Sequence, residues 1–136
     1  MDDNVMMNNS LLVNREKRIK KRADISRLVN DCMGDQVYVN EMFSLLKENM
    51  KEFYNATAVF LKAKDRFSIS RAAHKIKNGL ELIQACSLLD YVDMIQNECQ
   101  HVDTIKNIEK LIADSKTEYN CVVQELEEQI AMLDAK

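Results

Sequence analysis

Apolar residues recur at three- and four-residue spacing along most of the chain, which is the pattern of amphipathic helices. The apolar stripes predict a short helix over residues 24–33 and helices over 69–85, from 87 to about 102, and from about 104 to 133. A long stripe predicts a helix over 36–64, with one side formed by Val39, Phe43, Leu46, Met50 and Phe53. The chain is therefore expected to contain one short and four long helices.

Short polar segments separate the predicted helices. Gly34 and Asp35 form a C-cap followed by a restart signal, Ser68 is a predicted N-cap, and "SLLD" at 87–90 has the form of a capping box. Short connections favour antiparallel neighbours, so the expected fold is all-α: an up-down-up-down antiparallel four-helix bundle with a short extra N-terminal helix. We expect a flexible, basic-ended segment over 1–22 and the bundle over 23–136.

The composition agrees with an all-α fold, because the 136 residues include no Pro and only two Gly. The four cysteines are widely spaced and form no CxxC pattern, which predicts neither a zinc site nor a disulfide framework. No apolar run approaches the roughly 20 residues that span a bilayer, and the acidic start differs from a signal peptide. We expect a cytoplasmic monomer that does not bind membranes.

Charge is distributed unevenly along the chain. The net charge is −3, yet residues 1–22 contain six basic and three acidic side chains. The basic run "REKRIKKR" at 15–22 could contact nucleic acid, but it contains no aromatic residues for base stacking, and the rest of the chain is acidic and would repel phosphates. A solvated segment is the favoured interpretation, and no nucleic-acid partner is expected.

His74 is the main candidate for chemistry. Each residue advances about 100° round a helix, so the apolar residues of 69–85 lie on the side opposite His74. Its own side carries mainly polar residues, including Ser70, Arg71, Lys77, Asn78 and Glu81. A solvent-facing imidazole is largely neutral near pH 7, which leaves one ring nitrogen able to act as a nucleophile. An ordinary surface histidine without a function would have the same pattern.

Other kinds of site have little support in the sequence. No HExxH motif or second ligand accompanies His74, and Glu81 is two turns away, so no metal site is predicted. The absence of a nucleophile elbow, a P-loop and a Rossmann fingerprint argues against a hydrolase and against nucleotide-dependent kinase activity. A nucleophilic His74 with Lys77 one turn further on remains, and Arg71 and Lys75 lie nearby.

The stretch "AHKIK" at 73–77 resembles the AHxxK core of histidine-containing phosphotransfer domains. The resemblance covers about residues 24–133, including the expected four-helix bundle. It implies that His74 accepts a phosphoryl group from an aspartyl phosphate on a response-regulator receiver domain, and that Lys77 orients the phosphate. It also implies receiver domains or a hybrid sensor kinase as partners, no cofactor of its own, and Mg²⁺ on the partner receiver domain.

Asn78 and Glu81 depart from the common form of this motif. Asn78 follows the lysine where glycine is common, Gly79 comes one place later, and Glu81 stands where a small residue is frequent. Two interpretations remain open: a phosphotransfer protein with altered partner choice, and an inactive relative that serves as a non-catalytic helical interaction module. The expected docking face around His74 consists of Ser70, Arg71, Lys75, Asn78, Gly79 and Glu81.

Overall fold

A computed structural model describes residues 21–101 and 105–134. Within these ranges the chain forms five α-helices and no β-strand: α1 (Ser26–Asp31), α2 (Gln36–Lys62), α3 (Arg66–Leu82), α4 (Cys86–His101) and α5 (Lys106–Asp134). The all-α class and the presence of one short and four long helices are confirmed. In the same ranges, none of the helices has the length and apolar character needed to cross a membrane. Most of the predicted N-terminal segment, residues 1–20, lies outside the described residues.

The boundary between α1 and α2 follows the expected cap. Met33 and Gly34 have positive φ angles of 56° and 75°, and this left-handed turn ends α1 earlier than predicted. The Asp35 carboxylate then accepts a hydrogen bond of 3.2 Å from the backbone N–H of Tyr38. Asp35 is therefore the N-cap of α2, as the sequence predicted.

The predicted starts of α3 and α4 are wrong. Asp65, not Ser68, caps α3: its carboxylate accepts hydrogen bonds from the backbone N–H of Ser68 at 3.0 Å and from the Ser68 hydroxyl at 2.7 Å. Ser68 therefore lies inside the first turn of α3, because a carboxylate three residues earlier is the better acceptor. Ser87 likewise lies inside α4, which begins at Cys86. Thr104, the predicted start of the last helix, lies outside the described residues.

The long helices enclose one hydrophobic core. α2 packs against α3, α3 against α4, and α4 against α5, while α5 also packs against α2 and α1 covers part of α2. Burial of a large aliphatic side chain contributes about 1.5–3 kcal/mol, so these inward-facing stripes supply most of the stability that short helices lack in water. The fully buried side chains include Met50, Ile69, Leu80, Leu88, Ile95, Ile108 and Leu126.

A partly buried hydrogen bond links α2 to α5 at the edge of this core. The Ser115 hydroxyl donates to the carbonyl of Ile112 at 2.7 Å, which leaves its oxygen to accept the Tyr54 hydroxyl at 3.0 Å. Burial raises the pKa of Tyr54 to about 12, although the hydrogen bond to Ser115 opposes the shift. The pair satisfies two polar groups in the interior and favours one alignment of the two helices.

The segment 22–25, which we call the anchor segment, lies against α5. The Glu125 carboxylate accepts the backbone N–H groups of Arg22 at 2.6 Å and Ala23 at 3.0 Å. Gln129 accepts the N–H of Ile25 at 2.8 Å and donates to the carbonyl of Ala23 at 2.9 Å. Side chains of α5 thus pair the backbone of the anchor segment as a neighbouring strand would.

Candidate functional site

α3 carries the candidate site on the side that faces away from the core. His74 is exposed, whereas Ile69, Ala73, Ile76 and Leu80 on the opposite side are buried. This division arises because α3 packs between α2 and α4, which together cover its apolar stripe. The helical spacing in the sequence predicted this orientation of His74.

His74 borders a shallow recess of about 290 Å³ between α3 and α4. Ser70, Arg71 and Lys75 of α3 line it together with Gln96 of α4. The Gln96 side-chain amide donates a hydrogen bond of 3.3 Å to the backbone carbonyl of Ser70, which joins the two helices beside the imidazole. Three of the predicted neighbours of His74 are thus brought together with it.

Gln96 was missed by the sequence analysis. It follows Ile95 in a helix whose apolar stripe was recognised, so its place at the edge of that stripe could have been read from the spacing. Its position opposite Ser70 and His74, however, depends on how α3 and α4 align. Local periodicity contains no information about that alignment.

Lys77 does not project into solvent beside His74 as the sequence analysis expected. Its ammonium forms a 2.7 Å ion pair with the carboxylate of Asp93 on α4. The Lys77 side chain is 28% exposed and that of Asp93 is 60% exposed. Lys77 lies at the edge of the exposed side of α3, next to α4. The carboxylate of Asp93 on α4 offers its ammonium a charge-assisted hydrogen bond there.

Two cationic side chains on α3 flank His74 on its exposed side. Arg71 lies one turn before it and Lys75 follows it directly, and both are exposed. The Arg71 guanidinium lies 5.7 Å from the centre of the Phe67 ring, and Phe67 is itself exposed. The imidazole therefore has two exposed cations near it on its own helix.

The remaining predicted docking residues divide between two surfaces. Asn78 and Glu81 are exposed. Gly79 instead faces α2, where a Cβ atom would lie 3.2 Å from Cδ1 of Leu46. The assignment of Gly79 to the His74 face is therefore wrong, because the absence of a side chain there serves the close packing of α2 and α3.

The described ranges, 21–101 and 105–134, contain no cluster of three or more His, Cys, Asp or Glu side chains that could hold a metal ion. The geometry around His74 suits a different chemistry: an accessible ring nitrogen beside cations that can neutralise an anionic group.

Comparisons with known proteins identify no relative. No protein-family model, no curated protein and no solved structure matches the chain. The function is therefore argued from the residues themselves and from the likeness of "AHKIK" to a known motif.

Proposed function

We propose that this protein is a histidine-containing phosphotransfer protein of a phosphorelay. In this proposal His74 accepts a phosphoryl group from the aspartyl phosphate of one response-regulator receiver domain and passes it to another. The observation that carries the proposal is the exposed imidazole of His74, flanked by Arg71 and Lys75, on a helix whose opposite side is filled by the core. The AHxxK-like stretch at 73–77 is the second support.

The transfer step needs little covalent chemistry from this chain. The lone pair of one His74 ring nitrogen attacks phosphorus, the acyl phosphate P–O bond breaks, and its electron pair returns to the aspartate carboxylate of the receiver. The other ring nitrogen keeps its proton. Positioning and charge neutralisation lower the barrier, so an accessible ring and nearby cations are the features required. In this proposal Mg²⁺ belongs to the partner receiver, and the chain has no nucleotide-dependent kinase activity of its own.

The proposal includes an up-down-up-down arrangement of the four long helices. Contacts whose residue numbers run in opposite directions support it. Lys77 of α3 pairs with Asp93 of α4, whereas Ser70, earlier on α3, pairs with Gln96, later on α4. We also propose a cytoplasmic monomer whose partners are receiver domains or a hybrid sensor kinase.

Transfer to His74 tests the proposal directly. Receiver domains of the source organism, each phosphorylated with acetyl phosphate, are incubated with the protein, and acid-labile, base-stable phosphate on this chain is measured. The wild-type protein is expected to acquire this phosphate, and the His74→Gln variant is expected to acquire none. His101→Gln is the matched control, because the chain has only two histidines and His101 lies outside the recess.

Lys77→Ala is expected to slow transfer by about tenfold, since one charge-assisted contact to the transferred group is lost. Unfolding of this variant should stay cooperative. The phosphorelay proposal would be contradicted if the His74→Gln variant still acquired acid-labile phosphate, or if the wild-type protein acquired none from any receiver.

The second candidate is a non-catalytic interaction module, an inactive relative of the same family. The Lys77–Asp93 ion pair favours it, because the ammonium is directed to α4 and not to the imidazole. This alternative predicts that a receiver domain binds the wild-type protein and the His74→Gln variant equally well, and that no phosphate is transferred to either. Titration calorimetry beside the transfer assay separates the two candidates.

A further inference from the structure

We propose that Asp93 is a positioning residue that controls Lys77. Its carboxylate binds the Lys77 ammonium while His74 is unmodified. When a phosphoryl group forms on the ring, the ammonium leaves Asp93 and binds that group. This inference rests on the proposed function and adds a residue outside the AHxxK-like motif. It explains why the cation expected beside His74 is directed toward α4.

The helix positions place Lys77 between His74 on its own helix and Asp93 on α4. Lys77 is one helical turn after His74 on α3, so their Cβ atoms are about 5–6 Å apart. Asp93 is one turn before Gln96 on α4, and Gln96 lines the recess that His74 borders. The Asp93 carboxylate lies 2.7 Å from the Lys77 ammonium, so a carboxylate from α4 holds the cation that is one turn from the imidazole on α3.

The ion pair is exposed enough to exchange. Asp93 is 60% exposed and Lys77 28%, and pairs of this kind contribute little to stability because water screens them. A phosphoryl group on the ring carries more negative charge than a carboxylate and competes for the same ammonium. Without Lys77 between them, that group and Asp93 would repel each other.

Removal of the Asp93 charge should therefore favour phosphorylation. In Asp93→Asn the neutral amide competes weakly for Lys77, and the ammonium can stabilise the transition state of transfer from the outset. The expected rise in the initial phosphorylation rate is about threefold, which matches the interaction of an exposed ion pair. Asp93→Glu should retain the wild-type rate, because it restores the carboxylate.

The test uses phosphoramidate as the phosphoryl donor and no receiver domain. The ring nitrogen attacks phosphorus, the P–N bond of phosphoramidate breaks, and ammonia leaves. All variants carry His101→Gln, so that His74 is the one histidine in the chain. Initial rates of phosphohistidine formation are measured by ³¹P NMR for Asp93→Asn, Asp93→Glu, Lys77→Ala and the Lys77→Ala/Asp93→Asn double variant.

Asp90→Asn is the matched control, because it removes one exposed carboxylate one turn earlier on α4. We expect Asp90→Asn and Asp93→Glu to keep the starting rate, and the double variant to be no faster than Lys77→Ala. The inference is overturned if Asp93→Asn is no faster than its parent. It is also overturned if the Lys77→Ala/Asp93→Asn double variant is phosphorylated faster than Lys77→Ala, or if Asp90→Asn raises the rate as Asp93→Asn does.

The outcome is separate from that of the proposed function. If no receiver exchanges phosphate with His74, the relay proposal fails, yet the phosphoramidate rates still show whether Asp93 controls Lys77. If receivers do exchange phosphate and the rates show no dependence on Asp93, the relay proposal stands and the role of Asp93 falls.

Discussion

At the scale of single residues, Tyr54 makes the stability of the folded protein depend on pH. Burial raises its pKa from 10.0 to about 12. The folded protein therefore keeps the phenol proton at pH values where the unfolded chain has lost it, and folding is linked to pH with a definite sign. The contribution is fully present below about pH 10 and is lost as the pH rises through about 12.

Tyr54→Phe tests this assignment. At pH 7 the variant should lose about 1 kcal/mol of unfolding free energy, because the Ser115 oxygen loses its donor in the core. Between about pH 10 and 12 the stability of the variant should fall less steeply than that of the wild type, although Tyr119, whose pKa burial also raises to about 12, still contributes. The free energy of unfolding of both proteins is measured by urea unfolding, followed by circular dichroism, at pH 7 and across the range from about pH 10 to 12.

Tyr38→Phe is the control for this experiment, because the Tyr38 side chain is about half exposed. It should change the unfolding free energy at pH 7 by no more than about 0.5 kcal/mol. Equal effects of the two substitutions would contradict a stabilising Tyr54–Ser115 hydrogen bond.

At the scale of helices, the ends are determined by side chains that the apolar pattern does not include. Asp35 and Asp65 each accept a hydrogen bond from the backbone N–H three residues later. The hydrogen bonds from Ser68 also hold the pKa of the Asp65 carboxyl below its usual value. A carboxylate at this position also interacts favourably with the helix dipole, which a serine hydroxyl cannot match.

Substitution of the α2 cap should have a defined effect. Asp35→Ala is expected to lower the free energy of unfolding by about 1 kcal/mol, whereas Asp35→Asn should lower it by a few tenths at most, because asparagine caps equally well. Thermal unfolding at pH 7 measures both. A similar loss in the two variants would indicate that Asp35 acts through its charge and not through the hydrogen bond to Tyr38.

At the scale of the whole molecule, the anchor segment joins the beginning of the described chain to α5. It also contacts the C-terminal end of α3, because the N–H of Asp24 donates to the carbonyl of Ile83 at 2.8 Å. The Arg22 guanidinium forms an ion pair with Glu118 of α5. Ala23 and Ile25 are buried, so the segment contributes to the core as well as to the hydrogen bonds.

Gln129→Ala tests how much the anchor segment stabilises the fold. The substitution leaves the Ile25 N–H and the Ala23 carbonyl without their partner, and each unpaired buried group costs about 1–3 kcal/mol. We expect a loss of at least about 2 kcal/mol in urea unfolding, with faster hydrogen exchange of the Ile25 amide. Gln124→Ala on the exposed side of α5 is the control and should change stability by less than about 0.5 kcal/mol.

For the described residues, the sequence by itself determined the all-α class, the five helices and the exposed position of His74. These features follow from spacing along one helix, where the side facing the core repeats every three or four residues and the opposite side remains in water. Residues such as Ile69 and Leu80 could therefore be assigned to the core, and His74 to the surface, without knowledge of any neighbouring helix.

Only the tertiary structure decided which groups meet across helices. The pairing of Lys77 with Asp93, the position of Gln96 beside the recess and the contact of Gly79 with Leu46 all depend on how two helices align. That alignment results from the packing of many side chains that are distant in sequence, including the Tyr54–Ser115 pair. A lysine that is one turn from a histidine along its own helix can therefore be held by a carboxylate from another helix.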